Sequence, residues 1–326
     1  MTADASLEKL INSGRFCHGY LITGPRGTGK KALAARAAKA MLCESADGKK
    51  PCGACSACRT FDGGNHPDAV FIAPDKKSSI SAEFVRENVI SAAYVRPYRA
   101  AVKVFIVDKA ELLTPAAQNI LLKTLEEPPP YGVFLLCAQG ETWLLPTVRS
   151  RLWRVKVLPL PPHDAAAALL QKRPDLSHDQ ALFFAHLSGG SVGLAVELSE
   201  PDEDGTPPAI RAREALFSIL DGIGQKTSAR ILLETKALEP FKDAAGMLFT
   251  LMELWYRDLA VKDFGEICLA DMRDRIAAAE PCHNLSFCMD EIAKARERLM
   301  FNAGFALTIE VLMLTLGGKI LDGQSY

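Results

Sequence analysis

The stretch Gly24-Pro-Arg-Gly-Thr-Gly-Lys30 stands between a short apolar run, GYLITG (19–24), and an alanine-rich stretch, KKALAARAAKAML (30–42). A strand, a glycine loop and a helix in that order restrict the fold more than any other segment of this chain. The glycines let backbone N–H groups point at an anion, and the start of the helix adds a favourable dipole. Four further runs share the character of the first: AVFIAP (69–74), VKVFIVD (102–108), GVFLLCA (132–138) and RVKVLPL (154–160). Each is largely apolar and rich in β-branched or aromatic residues, as parallel strands covered on both faces must be. Helical segments lie between them. Residues 81–95 open on Ser81 with Glu83 close behind, and residues 115–126 carry Pro115 at a first-turn position and stop before Pro128-Pro129-Pro130. Strand and helix in alternation predict a doubly wound α/β domain with a five-stranded parallel sheet over residues 1–160.

Beyond LPLPP (158–162) the pattern turns helical. Three short helical runs fill 163–199, and the acidic EPDEDGTPP (200–208) reads as a linker. From residue 209 onward only helical patterns are visible, with apolar residues at three- and four-residue spacing in AAGMLFTLMELWYRDLAV and FALTIEVLMLTL. The apolar positions exceed what a small bundle needs. Residues 209–326 are therefore expected to oligomerise, through the stripes MLFTLMELW and LTIEVLML.

A net charge of −1 over 326 residues gives no global basic field, so any DNA contact has to be local or made by partners. No apolar run reaches the roughly 18 residues of a membrane span, and the start of the chain lacks the apolar core of a signal peptide. A cytoplasmic protein is expected.

In a reducing compartment the nine cysteines are not expected to form disulfides. Cys43, Cys52, Cys55 and Cys58 fall within sixteen residues in a C-x8-C-x2-C-x2-C arrangement, with small residues between them. Four thiolates so spaced suit a closed, tetrahedral and structural Zn²⁺ site. The module is inserted between the loop's helix and the second strand, where it need not break the sheet. His66 is a possible spare ligand, although a lone loop histidine is more often solvated. Lys49, Lys50, Arg59 and the single aromatic Phe61 make too modest a patch for a stand-alone nucleic-acid reader.

Gly24, Gly27, Gly29 and Lys30 supply the phosphate cradle. The next residue in such a loop is a Ser or Thr whose hydroxyl ligates Mg²⁺; here it is Lys31. Asp108, at the end of the third strand, is the natural metal-holding carboxylate. The position after it, where a water-activating Glu belongs, is Lys109, and Glu111 follows two residues later. A cradle without its hydrolytic parts is the expected outcome, and ATP with Mg²⁺ is not expected as a working cofactor.

Taken together, HGYLITGPRGTGKKALA, the four-cysteine insertion, VKVFIVDKAELLTPAAQNILLKTLEEPP and LLPTVRSRL strongly resemble the bacterial clamp-loader AAA+ subunits of DNA polymerase III, of the gamma/tau and delta-prime types. The resemblance covers about residues 10–200. It implies a P-loop AAA+ domain with a zinc-binding insertion (1–160), a small helical lid (161–200), a linker (201–208) and an all-helical collar (209–326). The Thr or Asn of sensor 1 is replaced by Cys137 and Ala138, with Gln139 as the polar candidate, and the sensor 2 arginine by Gly193. With Lys31 and Lys109, these departures imply a non-hydrolysing, delta-prime-like subunit; the alternative is an active gamma/tau-type ATPase. Ser150-Arg151 matches the family's Ser-Arg-Cys motif, with Leu152 in place of Cys, so Arg151 is the implied arginine finger for a neighbour's ATP site, flanked by Arg149. The implied partners are delta and gamma/tau subunits in a hetero-oligomer, and primed DNA and the sliding clamp through that complex, within the polymerase III holoenzyme. In the LLKTLEEPP segment, Ile120, Leu121 and Leu125 are expected to pack, and Lys123, Glu126 and Glu127 to face a neighbour or water.

Overall fold

The computed structural model describes residues 16–46, 50–74, 79–279 and 284–319. Two units are distinguished, Met1–Pro159 and Leu160–Tyr326.

The first unit is built in the order β1 (Gly19–Thr23), α1 (Lys30–Leu42), α2 (Ser56–Asp62), β2 (Ala69–Ile72), α3, β3 (Lys103–Val107), α4 (Pro115–Glu126), β4 (Gly132–Ala138), α5 (Pro146–Arg149) and β5 (Trp153–Lys156). Helix α3 runs Ala82–Val85, widens into a π turn at Arg86–Ile90 and finishes at Ser91–Ala93. The strands form one parallel sheet in the order β2-β3-β4-β1-β5. All five expected strands are present. The fifth stops at Lys156 rather than at 160, because the chain meets Pro159, Pro161 and Pro162, which have no N–H to give a ladder.

Every residue of β1, β3 and β4 is buried, as continuous apolar runs require. The pleat sends alternate side chains to opposite faces. Leu21, Phe105, Val107, Phe134 and Leu136 meet Leu121 and Leu125 of α4 on one face. On the other, Tyr20, Ile22, Val104, Ile106 and Leu135 meet Ala34, Ala37, Ala38 and Met41 of α1. Phe105 and Phe134 stack across β3 and β4 with ring centroids 4.8 Å apart.

Caps place the helices where the sequence predicts them. Ser81 accepts from the Phe84 N–H at 3.2 Å, and Thr114 from the Ala117 N–H at 3.2 Å, with Pro115 in the first turn. Leu121 and Leu125 are buried and Ile120 is half-buried, while Lys123, Glu126 and Glu127 are exposed, as expected. Gln118 of the same helix carried no sequence signal. Its buried amide donates to the carbonyls of Leu113 (3.1 Å) and Trp143 (3.3 Å) and accepts from the Leu145 N–H (2.7 Å), which pins the segment ahead of α5.

The second unit is helical throughout: α6 (Pro162–Lys172), α7 (His178–Leu187), α8 (Val192–Ser199), α9 (Pro208–Leu220), α10 (Ser228–Thr235), α11 (Ala245–Val261), α12 (Arg273–Ala278), α13 (Leu285–Met300) and α14 (Phe305–Leu316). One apolar core joins residues from α6–α8 (Leu169, Phe183, Phe184, Ala195) to residues from α9–α14 (Phe217, Met252, Trp255, Ile292, Leu312). Most of the large apolar residues in the two stripes expected to carry association pack into this core. Leu248, Phe249, Leu251, Met252 and Trp255, and likewise Ile309, Leu312 and Met313, are buried within the unit. Leu307, the first residue of the second stripe, stays exposed, as do Met300 and Phe301 outside the stripes. No single helix among the described residues is long and apolar enough to cross a membrane.

Candidate functional site

The phosphate loop leaves the C-terminal end of β1. A side chain at position 24 would put its Cβ 2.3 Å from the Val157 carbonyl oxygen, so only glycine lets β1 turn off beside the end of β5. Gly27 and Gly29 have φ of 76° and 86°, the left-handed region that favours glycine, and Gly29 delivers the chain into α1. The Lys30 ammonium donates to the carbonyls of Gly24 and Pro25, both at 2.7 Å, and so folds onto its own loop. Burial lowers its pKa, and the negative charges of Glu111 and Asp108 oppose that shift.

Lys31 lies one residue on. Its Nζ pairs with Asp108 Oδ2 at 3.5 Å, with Lys31 largely in water and Asp108 mostly covered. The other carboxylate oxygen accepts the Lys109 N–H at 3.1 Å. Lys109 is held at φ 53°, a left-handed conformation that is uncommon for a residue with a side chain. Glu111 reaches the end of β4, where its carboxylate accepts the Gln139 N–H at 3.3 Å. Cys137 is buried beneath α1, its thiol pushed up to about 12 chiefly by burial, and its Sγ lies 3.7 Å from the Lys30 carbonyl. The structure thus gathers Lys30, Lys31, Asp108, Glu111 and Cys137 at one end of the sheet. Mg²⁺ does not fit there: residue 31 brings a cation instead of a hydroxyl, and that cation holds the carboxylate a metal would need.

Arg151 is at the opposite end of the sheet. His18, just before β1, donates from Nε2 to the Arg151 carbonyl at 2.9 Å. Between that point and Gly24 lies the whole of β1, about 16 Å at 3.3 Å per residue, further than an arginine side chain reaches. The guanidinium pairs with Glu126 at 2.5 Å and donates to the Thr147 carbonyl at 2.8 Å and the Ser150 hydroxyl at 3.2 Å. Arg149 keeps its Nε buried without a hydrogen-bond partner, so it is the less available of the two arginines. Gly193 lies in the first turn of α8.

Cys43, Cys52, Cys55 and Cys58 come together, all four sulfurs within 4.8 Å of one another. The pairs Cys43–Cys55 and Cys52–Cys58 are each 4.0 Å apart. A tetrahedron with Zn–S bonds of about 2.3 Å has edges of about 3.8 Å, so the donor set fits a metal ion of that kind. Backbone N–H groups of Cys52, Cys55 and Cys58 point at the sulfurs of Cys43, Cys52 and Cys55 at 3.3–3.4 Å, as thiolate ligands require. Burial works against the Cys55 thiolate, but the amides of Cys58 and Glu44 outweigh it and lower the thiol to about 6.

His66 joins neither this cluster nor solvent. It is buried, and its Nδ1 accepts the Asp68 N–H at 3.1 Å. The solvated loop histidine expected from the sequence is instead part of a packed turn. Asp68 beside it accepts the amides of Tyr98 (2.6 Å), Arg99 (2.9 Å) and Ala100 (2.8 Å). Arg99 in turn binds Glu44 at 2.5 Å and Ser56 at 3.1 Å, next to two of the cysteines. Local sequence patterns carry no sign of these links, which join residues 30 to 55 positions apart.

A protein family described as DNA polymerase III, delta subunit, matches residues 2–161. The DNA polymerase III subunit delta' of Escherichia coli (strain K12) is 39% identical over 217 residues, which are 65% of this chain and 63% of that protein. The subunit delta' of Bacillus subtilis (strain 168) is 34% identical over 204 residues, 60% of this chain and 58% of the relative. A gamma/tau subunit from Mycobacterium bovis is 34% identical over 166 residues, 51% of this chain and 28% of the relative. This chain therefore spans less than two thirds of the length of each of these relatives. The family match covers the domain that holds both the glycine loop and the four cysteines, and over that domain the chain belongs to the delta-prime and gamma/tau family of DNA polymerase III subunits.

Proposed function

We propose that the chain is a delta-prime-like, non-hydrolysing subunit of the DNA polymerase III clamp loader, one that supports loading of the sliding clamp on primed DNA and lends Arg151 to the ATP site of a neighbouring subunit. The observation that carries this reading is the Lys31–Asp108 pair, which sets a cation beside the carboxylate that Mg²⁺ would need in order to bridge protein and nucleotide. Lys109 supports it, because an ammonium cannot activate water. The separation of Arg151 from its own glycine loop supports a role in trans, since the arginine has no phosphate of its own to serve. Cys43, Cys52, Cys55 and Cys58 would hold a structural Zn²⁺, whose four thiolate bonds leave no open position for catalysis. Residues 161–200 would act as a lid and 209–326 as the collar through which delta and gamma/tau partners assemble in the cytoplasm.

The alternative, an active gamma/tau-type ATPase, draws on the intact Lys30 and Asp108 and on the likeness to gamma/tau subunits. One experiment separates the two: nucleotide binding and turnover by the purified chain with Mg²⁺, beside an Arg151→Ala variant assembled with partner ATPase subunits. An inert chain whose Arg151→Ala form slows its partners supports the proposal. Turnover by the isolated chain that disappears in Lys30→Ala would establish the alternative.

A further inference from the structure

We infer that Glu126 is a positioning residue for Arg151: it holds the guanidinium folded against its own chain, so that a neighbour's phosphate has to displace a carboxylate to capture the arginine. The inference rests on the trans reading of Arg151 given above.

Glu126 is the final residue of α4, where the helix dipole is negative and a carboxylate is out of place. Helix stability therefore does not account for it. Its partner does: Arg151 Nη2 lies 2.5 Å from Glu126 Oε1. The arginine is anchored at its backbone by His18, whose Nε2 must carry the proton because a carbonyl can only accept. The other arm of the guanidinium, Nη1, donates to the Thr147 carbonyl and the Ser150 hydroxyl. The backbone is fixed, then, and an exchange of partner at the charged tip begins at the Nη2 arm, the one that Glu126 holds. Side-chain exposures of 35% for Arg151 and 42% for Glu126 place the pair in the weak, screened class of ion pairs. A polyphosphate carries more charge than one carboxylate and offers Arg the same two-pronged geometry, so it can win the exchange. Glu126 would thus keep Arg151 from fixing on other anions and make its release depend on a nucleotide-bearing neighbour.

The test uses the complete complex, reconstituted with ATPase partners and wild-type, Glu126→Gln, Arg151→Ala or doubly substituted chain, with kcat and KM for ATP measured for each. Glu126→Gln should raise the partners' kcat/KM by about two- to five-fold, the range expected for removing an exposed ion pair. Glu126→Asp should move it the same way by less. The gap between wild type and Glu126→Gln should close as salt screens the pair. The double variant should match Arg151→Ala alone, because Glu126 acts only through the arginine. The inference is overturned if Glu126→Gln leaves kcat/KM unchanged or lowers it, or changes it by the same factor when Arg151 is absent, while Arg151→Ala still slows turnover. Should Arg151→Ala itself have no effect, the trans reading fails, and this inference with it, a result distinct from the previous one.

Discussion

Lys31 decides what the glycine loop can do, and it does so through a partner that the sequence could not name. The substitution of lysine for a hydroxyl was legible, as was Asp108 as the carboxylate facing it. That the two meet at 3.5 Å depends on β1 and β3 lying on either side of β4 in the sheet, which local patterns do not encode. Lys31→Thr should free the carboxylate and restore the metal's oxygen ligand. Calorimetric titration of the isolated variant should then show nucleotide affinity that depends on Mg²⁺, still without turnover, since Lys109 offers no base. If the variant binds nucleotide no better than wild type in Mg²⁺, the ion pair is not what closes the site. Gly24 makes a steric counterpart. The Cβ of an alanine there would lie 2.3 Å from a backbone oxygen of the β5 end, which cannot swing aside as a side chain would. Gly24→Ala should cost about 1–3 kcal/mol, the range for overpacking, read as a lower urea midpoint with an unchanged slope.

At the level of elements, strands and helices of the first unit were largely legible, because burial on both faces forces continuous apolar runs and because Ser81, Thr114 and Pro115 mark helix starts chemically. What sequence missed are the ties between elements. Asp68 is the clearest case: one buried carboxylate gathers three amides from the turn ahead of β3 and so joins the segment after the cysteine module to the sheet. Burial alone would raise its pKa; the amides of Ala100, Tyr98 and Arg99 outweigh that and hold it below its ordinary value. A depressed carboxyl contributes stability that is complete above the unfolded value, about 3.9, and is lost as pH falls through the lower folded value. Asp68→Asn should therefore cost about 1–3 kcal/mol at neutral pH, and the gap from wild type should narrow only below about pH 4. A constant gap down to pH 2 would show that the carboxylate's charge is not what the amides hold. The cysteine module is tied into the same layer, since Phe61 of α2 packs into the α1 face of the sheet. The purified chain should carry one equivalent of zinc, released by a mercurial reagent. Cys58→Ser should abolish it and lower Tm by about 4–8 °C, as a loss of about 2 kcal/mol does in a domain of this size. Full thermal stability in a metal-free chain would remove zinc from the account of the fold.

The whole chain divides at Pro159, where the sequence pattern turns helical, while the acidic stretch 200–208 lies within the second unit. Composition changes at the acidic stretch 200–208 and invites a boundary there, yet the apolar cores divide at Pro159. The reason is burial: helices α6–α8 are too few and too short to enclose Phe183 and Phe184, which share a core with Phe217 and Trp255 from beyond the acidic stretch. Arg213 crosses that boundary as well, its guanidinium 4.3 Å from the Phe183 ring centre and its Nη1 2.8 Å from Asp271. The acidic stretch is itself tied to α9, through Arg211 with Asp202 and Asp204. Removal of the chain from residue 209 onward would leave α6–α8 without the residues of α9–α14 that complete their core. The place of the cut therefore predicts the result. A chain ended at Pro159 should keep its metal and unfold cooperatively, because both faces of the sheet are covered from within residues 16–159. A chain ended at residue 208 should bind a hydrophobic dye and lose residues 160–208 to limited proteolysis first. Neither should associate with clamp-loader partners if assembly resides in the second unit, and size-exclusion chromatography with those partners reads that directly. Equal protease resistance of residues 160–208 in the full and shortened chains would mean that α6–α8 form a domain of their own, and the boundary suggested by composition would be the physical one.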